Sequence, residues 1–171
     1  MLVNENIIED FKKSLTATIK SIGKSETIEV NFVKDVSSIK GEVINLVEPD
    51  INSLTKKLRY IRAEADSMAL EIRFHQKKVH NKFLSNNKLA NEIFDAVEQS
   101  RVEAQGSNIF KGIKDNILHK HEMDINNTSI DRNEEKKIIQ AFKYVSYSEL
   151  TNNKLEGKFN AYKKIIEKKL G

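Results

Sequence analysis

The residues of this 171-residue chain best suited to chemistry are four histidines and 25 acidic side chains, and no cysteine stands beside them. Without cysteine there is no disulfide framework, no thiolate zinc site and no cysteine nucleophile. The histidines fall in two pairs, His75 with His80 and His119 with His121. Imidazole is both a metal ligand and a proton carrier near neutral pH. On a straight helix, however, a spacing of five turns the second ring about 140° away from the first, so His75 and His80 should diverge. Neither pair supplies by spacing the third ligand and supporting shell that a metal centre needs. His75 and His80 therefore stand only as weak metal candidates, and each histidine reads first as structural or solvent-exposed. Glu71, four residues before His75, is placed for a simple helix-surface pair.

The carboxylates gather in one stretch, with Glu92, Asp95, Glu98 and Glu103 between Lys88 and Gln105. Helical bundles that hold metals with carboxylates use Glu-x-x-His on facing helices, and that motif does not occur. The plainer reading is a helix laced by ion pairs and hydrogen bonds, Glu98 with Arg101 and Gln99 with Glu103. No two glycines lie five apart, so a Gly-x-x-x-x-Gly-Lys phosphate loop is missing, as are Gly-x-Gly-x-x-Gly and His-Glu-x-x-His. Asp35-Val36-Ser37-Ser38-Ile39 approaches an Asp-x-Ser-x-Ser metal-adhesion motif but ends in isoleucine, and reads as a turn.

Such side chains need elements to position them. A chain of this length can bury roughly 70% of its unfolded surface without a staple, and it reads as a single helical domain, residues 1–171. One proline and six glycines argue against an all-β fold with many tight turns. Ile7, Ile8, Phe11, Leu15, Ile19 and Ile22 recur at helical spacing, with Gly23 as a C-terminal cap. Thr27 to Val33 alternates as a strand. Val43 to Val47 is a second short strand, and the two should pair as a hairpin. Leu54, Leu58, Ile61, Ala65, Met68 and Ile72 mark the strongest helix, running on toward His75 and as far as Phe83. After the break at Ser85-Asn86-Asn87, a helix from Lys88 to Gln105 stops at Gly106. Ile109 to Ile117 is a shorter helix, and His119 to Asn133 a polar loop. Two further helices centre on Ile138–Val145 and Phe159–Leu170. The class is mainly α (α+β), a multi-helix domain with one small β-hairpin between the first and second helices.

The net charge of +4 is unevenly placed. Residues 1–60 carry nine basic and nine acidic groups, 61–130 ten of each, and 131–171 ten basic against six acidic. Of the 29 basic residues 24 are lysine, while bidentate readers of phosphate and bases favour arginine. A basic tail can still bind nucleic acid, which makes a helical nucleic-acid module using 131–171 one alternative. A helical metal carrier using His75 and His80 is another. Lysine, isoleucine and asparagine are also the residues an AT-rich genome favours. No apolar run long enough to span a membrane occurs, and the first residues lack a signal-type core, so a cytoplasmic, membrane-free protein is expected.

The carboxylate-rich helix carries a resemblance. Phe94-Asp95-Ala96-Val97-Glu98-Gln99-Ser100-Arg101-Val102-Glu103-Ala104-Gln105-Gly106 resembles a signature of the T subunit of aerobic cobaltochelatase, CobT. Arg62-Ala63-Glu64-Ala65-Asp66-Ser67-Met68-Ala69-Leu70-Glu71-Ile72, with His75 and His80 trailing, is similar to a second family stretch. Phe11 to Thr18, followed by Ile28 to Phe32, is similar to a third. The stretches occur in family order and cover about residues 10–112. Beyond them the likeness fades, and Ile166 to Gly171 echoes a family helix without its usual Trp and Pro. The likeness is to the N-terminal domain. The family's acidic linker and its C-terminal von Willebrand factor A domain have no counterpart in the sequence, which reads as a piece of a longer subunit or a shortened protein.

The resemblance implies a metal-chelatase subunit of cobalamin biosynthesis. That complex inserts Co²⁺ into hydrogenobyrinic acid a,c-diamide using ATP and Mg²⁺. A large N subunit carries the tetrapyrrole chemistry, and an AAA+ S subunit hydrolyses ATP. This segment is expected to be a non-catalytic assembly or regulatory domain with no cofactor of its own, partnering the S and N subunits and not nucleic acid. The family-signature residues Asp95, Glu98, Gln99, Arg101, Glu103, Arg62, Asp66 and Ser67 would serve interaction. For Glu98–Arg101 two roles remain open, an internal packing pair or a surface facing the ATPase.

Overall fold

In the computed structural model, residues 2–127, 133–155 and 157–170 are described, with the side chains of 2–5, 51–56 and 170 set aside. The chain divides into two compact units, Met1–Phe74 and His75–Gly171. Seven α-helices and a small sheet occur among the described residues.

The first unit is helix α1 (Leu2–Gly23), strands β1 (Glu29–Val33), β2 (Ser38–Lys40) and β3 (Val43–Val47), and helix α2 (Ile51–Phe74). Leu15, Ile19 and Ile22 of α1 are buried, as are Ala65, Ala69 and Leu70 of α2. The helical spacing of these positions is what gives each helix its inward face. The sheet has the expected place but one more strand than a hairpin. Its order is β1-β3-β2, with β1 parallel to β3 and β2 antiparallel to it. The two strands legible in the sequence do pair, Glu29 opposite Val43 through Val33 opposite Val47, but side by side in one direction. The hairpin is the shorter one, β2 to β3, turning at Gly41 with φ +62°, a conformation glycine adopts without penalty. The physical reason is that β3 holds the two most buried positions of the sheet, Ile44 and Leu46. A strand so buried needs partners for its backbone on both edges.

Gly23 does not act as the left-handed cap. Lys24 takes that conformation instead, at φ +54°, while the buried Gly23 lets Ile28 approach where a Cβ would lie 2.5 Å from its Cδ1.

The second unit opens with His75. The long helix does not run on to Phe83 but ends at Phe74, and Gln76 (φ −107°, ψ 86°) breaks the path before the short helix α3 (Lys77–His80) and a 3₁₀ turn (Asn81–Phe83). Helix α4 (Lys88–Ile109) then starts where the polar break predicts. Asn87 caps it, its side chain accepting a 3.0 Å hydrogen bond from the Ala90 N–H. It runs through Gly106 instead of stopping there. Ala96, Ser100, Ala104 and Ser107 form a buried stripe of small residues, and helix α6 (Glu134–Thr151) lies against it. Ser100 Oγ donates to the Lys143 carbonyl at 2.7 Å, and Ser107 Oγ lies 3.0 Å from Tyr147 Oη. Small side chains let two helix backbones come close, and Gly106 is buried within the same helix.

Helix α5 (Lys111–Asn127) replaces most of the expected polar loop from His119 to Asn133; residues 128–132 lie outside the described residues. Ile113, Ile117, His121 and Ile125 are its buried positions, a four-residue spacing in which histidine occupies one place of an apolar stripe. Helix α7 (Phe159–Leu170) closes the unit, with Phe159 and Tyr162 packed on Ile125, Ala141, Tyr144 and Leu155.

Candidate functional site

Helix α4 presents two histidine–carboxylate arrangements, one sealed and one half-open. The sealed one joins α4 to α5. His121 Nε2 and Glu103 Oε2 are 2.8 Å apart, with side chains 0% and 1% exposed. Glu103 Oε1 also accepts from Gln99 Nε2 at 3.3 Å. Burial holds the His121 pKa below its ordinary value, with Glu103 pulling it back up and Lys143 and Lys120 adding to the lowering. A neutral His121 donating from Nε2 fits this, and it leaves Nδ1 as a buried nitrogen without a hydrogen-bond partner. The rings of Tyr144 and Tyr147 lie against the imidazole at 5.5 and 4.6 Å between centroids. Burial raises the Tyr147 phenol to about 12. Lys143 is only partly exposed, and burial lowers its ammonium pKa while Glu103 raises it.

The half-open arrangement lies one and a half turns earlier on α4 and involves the break between α2 and α3. Because the helix ends at Phe74, His75 and His80 do not diverge as a straight helix would require. Their rings meet edge to face, centroids 5.0 Å apart. His75 Nδ1 lies 3.0 Å from Glu98 Oε1, and His80 Nε2 lies 2.8 Å from Asp95 Oδ1. The Phe94 ring stacks on His80 at 4.4 Å and 6° from parallel. Arg101 grips Glu98 with two donors, Nε to Oε2 at 2.7 Å and Nη2 to Oε1 at 2.8 Å. This hydrogen bonding, chiefly from Arg101 and then from His75, lowers the Glu98 pKa against the opposing effect of burial, so the group is a carboxylate at neutral pH. The Glu98 side chain is 16% exposed and that of Arg101 43%. The pair is thus neither a sealed packing pair nor a free surface pair.

Of the residues singled out from sequence, Asp95, Glu98, Arg101, His75 and His80 come together, while Glu103 belongs to the sealed pair and Gln99 donates to it. Arg62, Asp66 and Ser67 sit on α2 in the first unit, Asp66 and Ser67 buried and Arg62 half-buried. Sequence reading missed His121 as the partner of Glu103. The Ile113-Ile117-His121-Ile125 spacing was the available signal.

Compared with known families, residues 5–154 match the family described as cobalamin biosynthesis protein CobT. The chain belongs to the CobT family. The match begins ahead of the first recognisable stretch and runs on through α5 and the whole of α6, past the point where the quoted motifs fade. It makes this CobT-family chain a cobaltochelatase subunit of cobalamin biosynthesis. No solved structure matches it. Among the described residues no helix is long and apolar enough to cross a membrane.

Proposed function

We propose that this CobT-family chain is a non-catalytic assembly module of the ATP-dependent aerobic cobaltochelatase, acting in the cytoplasm. The complex inserts Co²⁺ into hydrogenobyrinic acid a,c-diamide. ATP and Mg²⁺ serve the AAA+ S subunit, the large N subunit holds the tetrapyrrole, and this chain binds the S subunit and through it the N subunit. The observation that carries the reading is the family match over residues 5–154. The division of α4 supports it. Ala96, Val102, Glu103 and Ala104 of the signature are buried and serve the fold, whereas Asp95 and Arg101 reach solvent and can meet a partner.

The test is co-purification of the full chain with the S subunit, then with the N subunit, with and without ATP. Retention of the S subunit is expected, and no association with either subunit overturns the reading. Arg101→Ala sharpens it. An unchanged Tm with lost association makes Arg101 an interface residue, whereas a lowered Tm with association kept makes its bond to Glu98 part of the fold. Of the lysines in the 131–171 region that the nucleic-acid alternative would use, Lys137 and Lys143 are engaged within the chain. The Lys143 ammonium is drawn inward, and Lys137 pairs with Glu134 at 2.5 Å.

A further inference from the structure

The half-open cluster contains more than a clasp between α3 and α4 requires. His75, His80 and Glu98 each offer a ligand atom, and these atoms lie within 4.8 Å of one another. We propose that they form a site for a first-row divalent transition cation, with Asp95 and Arg101 as its supporting residues. This departs from the expectation that the segment binds no metal, and it stands on geometry whether or not the chelatase reading holds.

Three observations carry it. The first is the state of His80. Its Nε2 faces the Asp95 carboxylate at 2.8 Å, so Nε2 bears the proton and Nδ1 keeps a lone pair. That Nδ1 is buried and has no hydrogen-bond partner. His121 Nδ1 is likewise unpaired, but tyrosine rings surround it, whereas a second imidazole, His75, stands beside His80. A carboxylate on one ring nitrogen with the other left to bind is the arrangement that orients metal-ligating histidines and raises their basicity. The parallel Phe94 ring holds the imidazole plane.

The second is a spacing. Two donors each about 2.0–2.1 Å from a cation, at angles between octahedral and tetrahedral, lie roughly 2.9–3.4 Å apart. His75 Nδ1 and Glu98 Oε1 are already 3.0 Å apart. A cation takes the place of the proton they share, and the His80 ligand atom lies within 4.8 Å of both donors.

The third is charge. The cluster holds two carboxylates, Asp95 and Glu98, and the Arg101 guanidinium grips only Glu98, so a dication meets a site rich in negative charge. Arg101 leaves room for this, because each carboxylate oxygen has two lone pairs.

The donor set selects the class of ion. Two imidazoles and one carboxylate suit the later first-row dications, Co²⁺, Ni²⁺ and Zn²⁺, over Mg²⁺ or Ca²⁺, which take oxygen ligands. Three protein donors leave at least one position open. That is the form of a site that exchanges its ion or shares it with another ligand, as opposed to a closed structural centre.

The experiment is titration of the full chain with Co²⁺, followed by visible absorption and calorimetry. One ion per chain is expected, with d–d bands of a four- or five-coordinate site, displaced by Zn²⁺ and not by Mg²⁺. Asp95→Asn should weaken binding about tenfold or more, as loss of a supporting carboxylate does, and the His75→Ala, His80→Ala double variant should abolish it. His119→Ala, outside the cluster, should leave it unchanged. Should the double variant unfold, imidazole NMR of the unaltered chain decides, with paramagnetic shifts expected at His75 and His80 and not at His121. Absence of uptake at millimolar Co²⁺ overturns the proposal, as does uptake that survives the double variant or shifts other histidines instead. Co-purification with the S subunit is scored separately, so failure of either reading leaves the other standing.

Discussion

Glu98 and Glu103 sit five residues apart on α4 and each meets a histidine, yet the two pairs live in different media. Glu103 and His121 are closed off among Ile117, Ile125 and two tyrosines, while Glu98 and His75 share their carboxylate with an arginine that reaches solvent. In the sealed pair the interior sets the chemistry. Burial keeps His121 neutral, and its bond to Glu103 is worth most as the avoidance of an unpaired polar group. In the half-open pair the neighbours set it, since Arg101 fixes Glu98 as a carboxylate and Asp95 fixes the His80 tautomer. Similar residues therefore build a fold at one place and a reactive cluster at the other, and exposure, not residue type, separates the roles.

The comparison can be broken most forcefully at Glu103. Glu103→Ala leaves the His121 N–H without its acceptor in the interior. Stranding a neutral buried N–H costs about 1–3 kcal/mol, a fall in Tm of roughly 3–10 °C for a chain of this size. Scanning calorimetry reads it, and a fall no larger than that of Glu98→Ala would erase the distinction between the two pairs. Acid should act next. His121 has a lowered folded pKa, so below about 6.5 the unfolded chain takes up a proton that the folded chain refuses. Stability is full above that pH and declines below it, by up to about 1.4 kcal/mol per pH unit until the folded pKa is reached. Denaturant midpoints measured from pH 7.5 to 5 should show this slope, and His121→Gln should flatten it. Glu98→Ala is milder, about 1 kcal/mol, because its bonds lie partly in water. The smallest effect belongs to Asp95→Asn. Its 62% exposed carboxylate makes a stability change within about 0.5 kcal/mol the expected result, with the consequence confined to cation affinity.

The helices with clean apolar spacing were legible, and so was the asparagine break before α4. Pattern reading went astray where one rule was trusted against several others. Glycine often caps, so Gly106 predicts a helix end, but the helix runs on to Ile109 with Gly106 buried inside it. Polarity predicts a loop after Ile117, although every fourth residue from Ile113 to Ile125 points inward. At the candidate site the residues were visible and their meeting was not. A straight-helix rule separates His75 from His80, and only the break at Gln76 reverses it. That break has no proline or glycine to announce it, and no capping side chain accompanies it.

Three of the four tyrosines, Tyr144, Tyr147 and Tyr162, are buried in the second unit, in contact with one another or with His121, and the chain contains no tryptophan. Tyrosine emission and near-ultraviolet dichroism are accordingly an optical signal weighted to His75–Gly171, with Tyr60 the sole tyrosine of Met1–Phe74. Backbone dichroism sees both units. Melting followed by the two signals side by side therefore reveals whether the units unfold as one cooperative body or in two steps, without a label or an added fluorophore.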